Sequence, residues 1–599
     1  MPIKTKINQY IIRELVQKTF EKRELSLEYL SRLKRKASRK FGLPCQTNIE
    51  LLEAYREMLE NKEVVSNKEI ENLLVTKNIR TSSGVAVVAV LTKPYPCPGT
   101  CAFCPNEKNM PKSYLSNEPA VMRAILTNFH PYKQVMARIK SLEATGHKTD
   151  KIELIIMGGT FSYLPKQYQT WFVKECFRAC NERWLHSPRL EAVEPFAQNG
   201  STGLMPLWSQ RPHKNLKQLQ KINEKSNHRI IGLTLETRPD YIDEKEIINM
   251  RRLSATRVEL GVQNIYDDVL KLNKRGHGRA EIIKATKLLK EAGFKINYHM
   301  MPNLPGSSYE KDLRMFEELF SNPDFQPDML KIYPCVVVKN TEIYKWWKKG
   351  EYKPYSNEKL VKLLCEIKKI IPYYVRITRL IRDIPSTSII AGNKVSNLRQ
   401  VLDKKSKEEN WKCKCIRCRE VRNQIVPPDK GGWGVENSGD NNLKLFRQDY
   451  EASGGREIFL SFEDEKRKYL YSMLRLRINE NVIAGSEATR QSQNLFKSTS
   501  CPEIPLAPFD KGGNILPILQ NSAIIREVHT YGQLVSINSK NKKSPQHTGL
   551  GKKLILEAEK IAREEFGLKK IAVISGVGVR DYYRKLGYRL EEGYMVKSI

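Results

Sequence analysis

Nowhere does this chain carry the roughly 20 consecutive apolar residues that a membrane-spanning helix needs, and Met1 to Gln9 contain no apolar stretch of signal-peptide type. A helical membrane anchor is excluded on that reading, and the cytoplasm is the expected location. Acidic residues are in short supply: 67 Asp and Glu stand against 102 Lys and Arg, a formal net charge of +35. Such an excess repels itself unless a polyanion meets it, and its clustering points to nucleic acid ahead of a membrane. Cysteine is sparse as well. Twelve in 599 residues, half of them in two short clusters, fit metal ligation in a reducing compartment better than a disulfide framework. Cys45, Cys176, Cys180, Cys335 and Cys365 stand apart and are expected to be ordinary buried thiols.

The length exceeds what one core organises, so two large domains and an extension are expected. Residues 1–77 place Ile11, Ile12, Leu15, Val16 and Phe20 at helical spacing and follow them with Arg32, Lys34, Arg35, Lys36, Arg39 and Lys40, which predicts a small basic helical unit. Over 78–390, apolar strands alternate with amphipathic helices. The predicted strands are Val85 to Leu91, Ile152 to Met157, Ile230 to Glu236, Arg257 to Gly261, Lys295 to Met300 and Met329 to Tyr333. This is the pattern of a parallel βα barrel, whose chemistry gathers at the C-terminal strand ends. Residues 391–456 read as a cysteine-bearing linker and 457–599 as a second, mixed α/β domain. Stretches rich in Pro, Gly, Ser and Asn, roughly Ser187 to His213 and Asn479 to Pro517, read as surface insertions. The related pieces Pro428 to Gly432 and Phe509 to Gly513 read as mobile linker rather than phosphate loops.

Directly after the first predicted strand comes Cys97-Pro-Gly-Thr-Cys101-Ala-Phe-Cys104. Three thiolates on one tight loop can hold three irons of a four-iron cluster and leave the fourth open for the amino and carboxylate groups of S-adenosylmethionine. Gly158 and Gly159 end the second predicted strand, where missing side chains let backbone approach a ligand, so S-adenosylmethionine contact is expected there. Other strand ends carry Glu236-Thr-Arg238-Pro-Asp240 and Glu259-Leu-Gly261-Val-Gln263, followed by Arg275-Gly-His277; buried polar groups there need partners, either one another or a ligand. Cys413, Cys415 and Cys418 lie among cations and suggest structural zinc, with Cys501 or a histidine as fourth ligand and a second iron–sulfur cluster as the rival. Near the C-terminus Gln546-His-Thr-Gly549-Leu-Gly551-Lys552 sits between a strand around Val528 to Ile537 and an amphipathic helix, which favours coenzyme A at a helix start.

These motifs, in this order, resemble the Elongator catalytic-subunit family of tRNA carboxymethyluridine synthases. The likeness runs from about Lys77 to the C-terminus and is carried by SGVAVVAVLTKPYPCP, DKIELIIMGGTF, LTLETRPD, VELGVQ, KCKCIRCREV, DYEASGGREIFLSFED and IAVISGVGVRDYYRKLGY. The Pro-Asn-Glu-Lys-Asn after Cys104, where eukaryotic members are glycine-rich, resembles a bacterial-type member. The resemblance implies a radical SAM partial barrel, a GNAT-type acetyltransferase-like domain and a basic tRNA-binding extension. It implies formation of 5-carboxymethyluridine at the tRNA wobble position, with a 4Fe-4S cluster, S-adenosylmethionine and acetyl-CoA. Carried over by motif, Lys151, Glu527, Val528, His529, Thr530, Leu550, Gly551, Lys552 and Tyr583 contact acetyl-CoA, and Arg376, Arg379 and Arg382 join the extension as an RNA cradle. No residue is singled out as catalytic. The expected partners are tRNA, an external electron donor and, as an option, a second copy of the chain. The rival readings are a protein lysine acetyltransferase with a structural iron–sulfur domain and a catalytically decayed tRNA-binding scaffold; the intact Cys97, Cys101 and Cys104 argue against the latter.

Overall fold

The computed structural model describes residues 3–21, 25–76, 84–182, 214–421, 443–480, 516–532 and 549–599. Four helices come first: α1 (Ile3–Phe20), α2 (Leu27–Phe41), α3 (Asn48–Glu60) and α4 (Lys68–Leu74). Their helically spaced apolar residues, among them Ile11, Leu15, Leu30, Leu33, Leu51 and Tyr55, close over a small core of their own. The Ser26 hydroxyl accepts from the Tyr29 N–H at the start of α2, and Gly42 ends it in the left-handed region. The opposite face of α2 leaves Arg32, Arg35, Lys36, Arg39 and Lys40 exposed.

A parallel sheet follows, in the order β1 (Ala86–Leu91), β2 (Lys151–Met157), β3 (Arg229–Thr237), β4 (Arg257–Gln263), β5 (Lys295–Met300), β6 (Met329–Ile332) and β8 (Arg376–Arg379), with β1 and β8 as open edges. A separate two-stranded ribbon pairs β7 (Val337–Val338) with β9 (Ile389–Ala391). Six strands match the expectation. The seventh, β8, does not: its sequence RITR has no apolar run to announce it, and it lies in the segment expected to cradle RNA. Arg376 is ion-paired with Glu420 at 2.5 Å, Arg379 with Asp383, and Arg382 with Glu118. Arg376, half-buried, thus already has a partner in the chain's own carboxylate.

The second sheet runs β10 (Leu443–Glu451), β11 (Gly455–Asp464), β12 (Leu470–Asn479), β13 (Ala523–Thr530), β14 (Lys570–Val573), β16 (Tyr594–Ser598) and β15 (Arg589–Glu591). Only β13 and β14 pair in parallel, so the sheet is mixed, as expected. It begins at Leu443, inside the stretch read as linker. That stretch is no free tether: Leu398, Leu402, Cys415 and Ile416 belong to the main core, and the Ile416 N–H donates to the Val375 carbonyl at 2.9 Å.

Strand alternation explains how the sheets join. Ile458, Leu460, Leu474, Leu476, Ile525 and Val573 face the helix Leu550–Glu564. Their neighbours Phe459, Met473, Ile524 and Ala572 face the other way, into the core that also holds the helix-covered side of the first sheet.

The expected strand around Val528 to Ile537 ends at Thr530 within β13. Residues 187–213 and 481–515 of the two expected insertions, both Gly-rich repeats, Cys501 and Gln546 to Thr548 lie outside the described residues. Cys176, Cys180, Cys335 and Cys365 are buried as expected, but Cys45 is exposed, because it sits in the short connection between α2 and α3. Among the described residues no helix is long and apolar enough to cross a membrane.

Candidate active site

The first sheet is amphipathic across its two faces. Register places Glu236 beside Glu259, Glu259 beside Asn297, and His299 beside Lys331. Side chains alternate along a strand, so these five share the face turned away from the helices, while Leu235, Val258, Leu260, Ile296, Tyr298 and Leu330 pack under the helices. The polar face is tightly wired. Glu259 accepts from Asn297 Nδ2 at 3.2 Å, lies 3.0 Å from His299 Nε2, and is ion-paired with Lys331. Burial alone would raise the Glu259 carboxyl, but Lys331 and His299 hold it well below the usual carboxylate range. Tyr114 donates to Glu236 at 2.6 Å and stays neutral, because burial and that carboxylate push its hydroxyl up. Sequence reading flagged Glu236 and Glu259. It missed Asn297, His299 and Lys331, whose signal was a polar residue at every second position of KINYHM and the single lysine within MLKI.

The cysteine loop caps this face at the C-terminal strand ends. It is pinned by the Ala102 N–H donating to the Asn273 carbonyl at 3.1 Å and by the Glu342 and Ile343 N–H groups donating to Ala102. Cys101 is buried, and Arg275 Nη1 donates to its sulfur at 3.1 Å. The Cys104 thiol, Arg275 and Arg238 together draw Cys101 down to about 4, against the opposing effect of burial, so it is a thiolate at neutral pH. Arg238 forks onto Asp240 at 2.9 and 2.8 Å, while its Nη1 has no hydrogen-bond partner and occupies the space a side chain on Gly99 would need. His277 is buried beside it, 3.6 Å from Asp240, with neither ring nitrogen hydrogen-bonded.

Gly158 and Gly159 stand at φ +132° and +96°, conformations that side chains disfavour, and a Cβ on Gly158 would collide with the Thr92 hydroxyl. That hydroxyl is buried and unpaired. Three thiols ringed by cations and by unsatisfied donors at Arg238, His277 and Thr92 suit an anionic, hydrogen-bond-accepting group. A four-iron cluster with S-adenosylmethionine therefore fits these residues.

The second trio is built differently. The thiols of Cys413, Cys415 and Cys418 lie within 4.8 Å of one another, and among the described residues no other trio of His, Cys, Asp or Glu is so gathered. With zinc–sulfur bonds of about 2.3 Å, tetrahedral thiolates stand about 3.8 Å apart, so this spacing fits one ion. Cys97, Cys101 and Cys104 lack that closeness, in keeping with three ligands that each hold a different iron.

The Radical SAM superfamily model matches residues 95–319, and the Radical_SAM C-terminal domain model matches residues 327–408. The tRNA uridine(34) acetyltransferase of Methanocaldococcus infernus is 43% identical over 100% of both chains. Human Elongator complex protein 3 is 36% identical over 98% of this chain and 96% of its own. The chain belongs to the Elongator protein 3 family. A solved structure of that family, the archaeal Methanocaldococcus infernus Elp3 with an N-terminal deletion (1–46), is 43% identical, covers 86% of this chain and 100% of its own, and aligns with a TM-score of 0.65.

In this Elongator-type chain the residues expected at acetyl-CoA divide between two faces of β13. Val528 and Thr530 lie 3.7 and 3.5 Å from where a Cβ on Gly551 would stand, and the Tyr582 hydroxyl lies 3.3 Å from it, so these four meet at the start of the helix Leu550–Glu564. Leu550 packs inward and Lys552 is exposed on that first turn. Tyr583 is buried in the core beneath, 5.3 Å ring to ring from Tyr582. Tyr582, which sequence reading passed over, is 41% exposed. Glu527 points the opposite way, to Lys295 of β5 at 3.3 Å and Arg475 of β12 at 3.0 Å, and His529 stacks on Tyr531. The Glu527 side chain joins the two sheets rather than facing the helix start. Lys151 opens β2 beside Arg229, and Arg229 packs against the turn Gly576 to Val579 of the second domain.

Proposed function

We propose that this chain modifies the wobble uridine of tRNA, forming 5-carboxymethyluridine from acetyl-CoA by S-adenosylmethionine radical chemistry. The observation that carries the reading is the Cys97, Cys101 and Cys104 loop at the mouth of a sheet whose free face is lined by Glu236, Glu259, Asn297, His299 and Lys331. When bound there, the cluster and S-adenosylmethionine supply a deoxyadenosyl radical able to take hydrogen from the acetyl methyl.

The chain's own residues prepare that site. The Cys104 thiol, Arg275 and Arg238 favour the Cys101 thiolate that metal binding needs. Gly158 lets the Thr92 hydroxyl close in, and Gly159 leaves open room for S-adenosylmethionine beside it. The wired polar face offers donors and acceptors to an incoming uracil, held in place by its own ion pairs. Acetyl-CoA is assigned to the start of the helix Leu550–Glu564, where backbone N–H groups meet its pyrophosphate, with Lys151 at the adjoining seam. Lys151 begins β2 and Gly158 follows its end, seven steps or about 23 Å further on, so the acetyl donor approaches from the opposite end of the sheet.

The exposed cations of α2 receive RNA phosphates. Zinc is assigned to Cys413, Cys415 and Cys418 as a structural ion, an external reductant supplies the electron, and the setting is the cytosol. Anaerobic incubation of cluster-loaded protein with reductant, S-adenosylmethionine, acetyl-CoA and tRNA, followed by nucleoside mass spectrometry, tests the reading. The carboxymethyl nucleoside is expected only when every component is present. Deoxyadenosine without modified tRNA would mean that the substrate or the acetyl-CoA assignment is wrong.

A further inference from the structure

The loops leaving β1, β2 and β3 each carry a tyrosine: Tyr95 two residues before Cys97, Tyr163 four residues after Gly159, and Tyr241 directly after Asp240. These loops are far apart in sequence, yet their rings form one chain. Tyr95 and Tyr163 lie 6.0 Å apart at 62°, and Tyr163 and Tyr241 5.5 Å apart at 82°. Tyr95 is 38% and Tyr163 41% exposed, and neither packs into a core, unlike Tyr132 and Tyr168 on the neighbouring helices. A parallel stack would hide its faces, whereas an edge-to-face chain leaves ring surface open to a planar ligand. Lys93, in the same loop as Tyr95, and Lys108, four residues past Cys104, are exposed.

We propose that Tyr95, Tyr163 and Tyr241 are a stacking rim that takes the nucleobases flanking the target uridine in a single-stranded RNA loop. The inference rests on the tRNA reading above and adds a subsite to it. A base must leave its stack before chemistry can reach it, and its neighbours then lose a stacking partner. Aromatic side chains replace that partner, and every base has a face to offer them. Placed on the three loops around the cysteines, the rim holds the flanking bases while the target base enters the polar face of the sheet. Lys93 and Lys108 are positioned for the phosphates. The adenine of S-adenosylmethionine has the same kind of face, so the test separates the two sources.

Cluster-loaded full-length protein is titrated into a stem-loop RNA carrying the target uridine and 2-aminopurine beside it, and anisotropy and 2-aminopurine emission are read together. Tyr163→Leu is expected to weaken RNA binding by about tenfold and to abolish the emission change. Tyr163→Phe should retain both, and S-adenosylmethionine affinity should be the same in all three proteins. Tyr95→Leu gives an independent second variant. Unchanged RNA affinity and emission in both leucine variants overturns the rim while the tRNA reading stands. An equal loss of S-adenosylmethionine affinity overturns it in favour of the cofactor's adenine. Failure of the unsubstituted protein to bind the RNA at all overturns the tRNA reading itself.

Discussion

Arg526 and Asp328, 198 positions apart, meet as a two-pronged ion pair with both side chains fully buried. Asp328 directly precedes β6 of the first sheet, where it also accepts from the Ile296 N–H at 2.9 Å. Arg526 belongs to the second and also reaches Glu457 at 2.7 Å and the Phe294 carbonyl at 2.6 Å. The pair is the centre of a joint that Arg475, Arg477 and Lys290 extend. Buried charges gain little net stability over well-packed apolar residues, but leaving one of them alone is costly.

Arg526→Met should therefore destabilise the protein by about 3–5 kcal/mol, because Asp328 and Glu457 lose their shared partner. Urea denaturation checks this. The two sheets share one core, so both should melt together in the variant; a loss confined to the second sheet would show that the joint is not what couples them.

Acid should loosen the same joint. Burial would raise the Glu527 carboxyl, but Lys295 and Arg475 bring it from 4.5 down to about 2. The unfolded chain then binds more protons than the folded one between those values, so this contribution is complete above pH 4.5 and is lost as pH falls toward 2. It amounts to at most about 3 kcal/mol. Thermal unfolding of metal-free protein from pH 5 to 2 should be flatter for Glu527→Gln than for the unsubstituted chain.

Gly158→Ala should cost about 1 kcal/mol or more, from its φ of +132° and its collision with Thr92. It should also lower S-adenosylmethionine affinity without lowering the iron content of the reconstituted cluster. Loss of iron along with affinity would place the glycine in the cluster's support instead.

If the Cys413 trio holds the proposed zinc, Cys415→Ser should remove it from the purified chain while iron at the Cys97 loop is retained, measured as metal content per chain. The Cys415 segment is tied to β8 through Ile416 and Val375 and lies beside the Arg376–Glu420 pair. Chelation of the zinc should therefore lower the melting temperature of the whole protein. Unchanged melting after complete zinc loss would deny it a structural role.

Much of the site was legible because it is local. Cys97, Cys101 and Cys104 fall within eight residues, and Gly158 and Gly159 are adjacent, so spacing alone brought those groups together. His299 and Lys331 were harder to see, since a polar residue in a strand declares itself only once the covered face of that strand is known. The β13 run from Glu527 to Thr530 reads as one motif, yet alternation sends Glu527 to the joint and leaves Val528 and Thr530 at Gly551.

By itself the sequence determined the helical extension, the order of the two sheets and both cysteine clusters, because helical and strand periodicity and short ligand spacings are properties of neighbouring residues. Only the tertiary structure decided that Arg376 is tied to Glu420, that Leu398, Leu402, Cys415 and Ile416 of the supposed linker belong to the main core, that Asp328 waits for Arg526, and that three distant tyrosines share one rim. Those relationships depend on which faces a fold buries against each other. A buried charge or an exposed ring takes its meaning from a partner that chain position does not name.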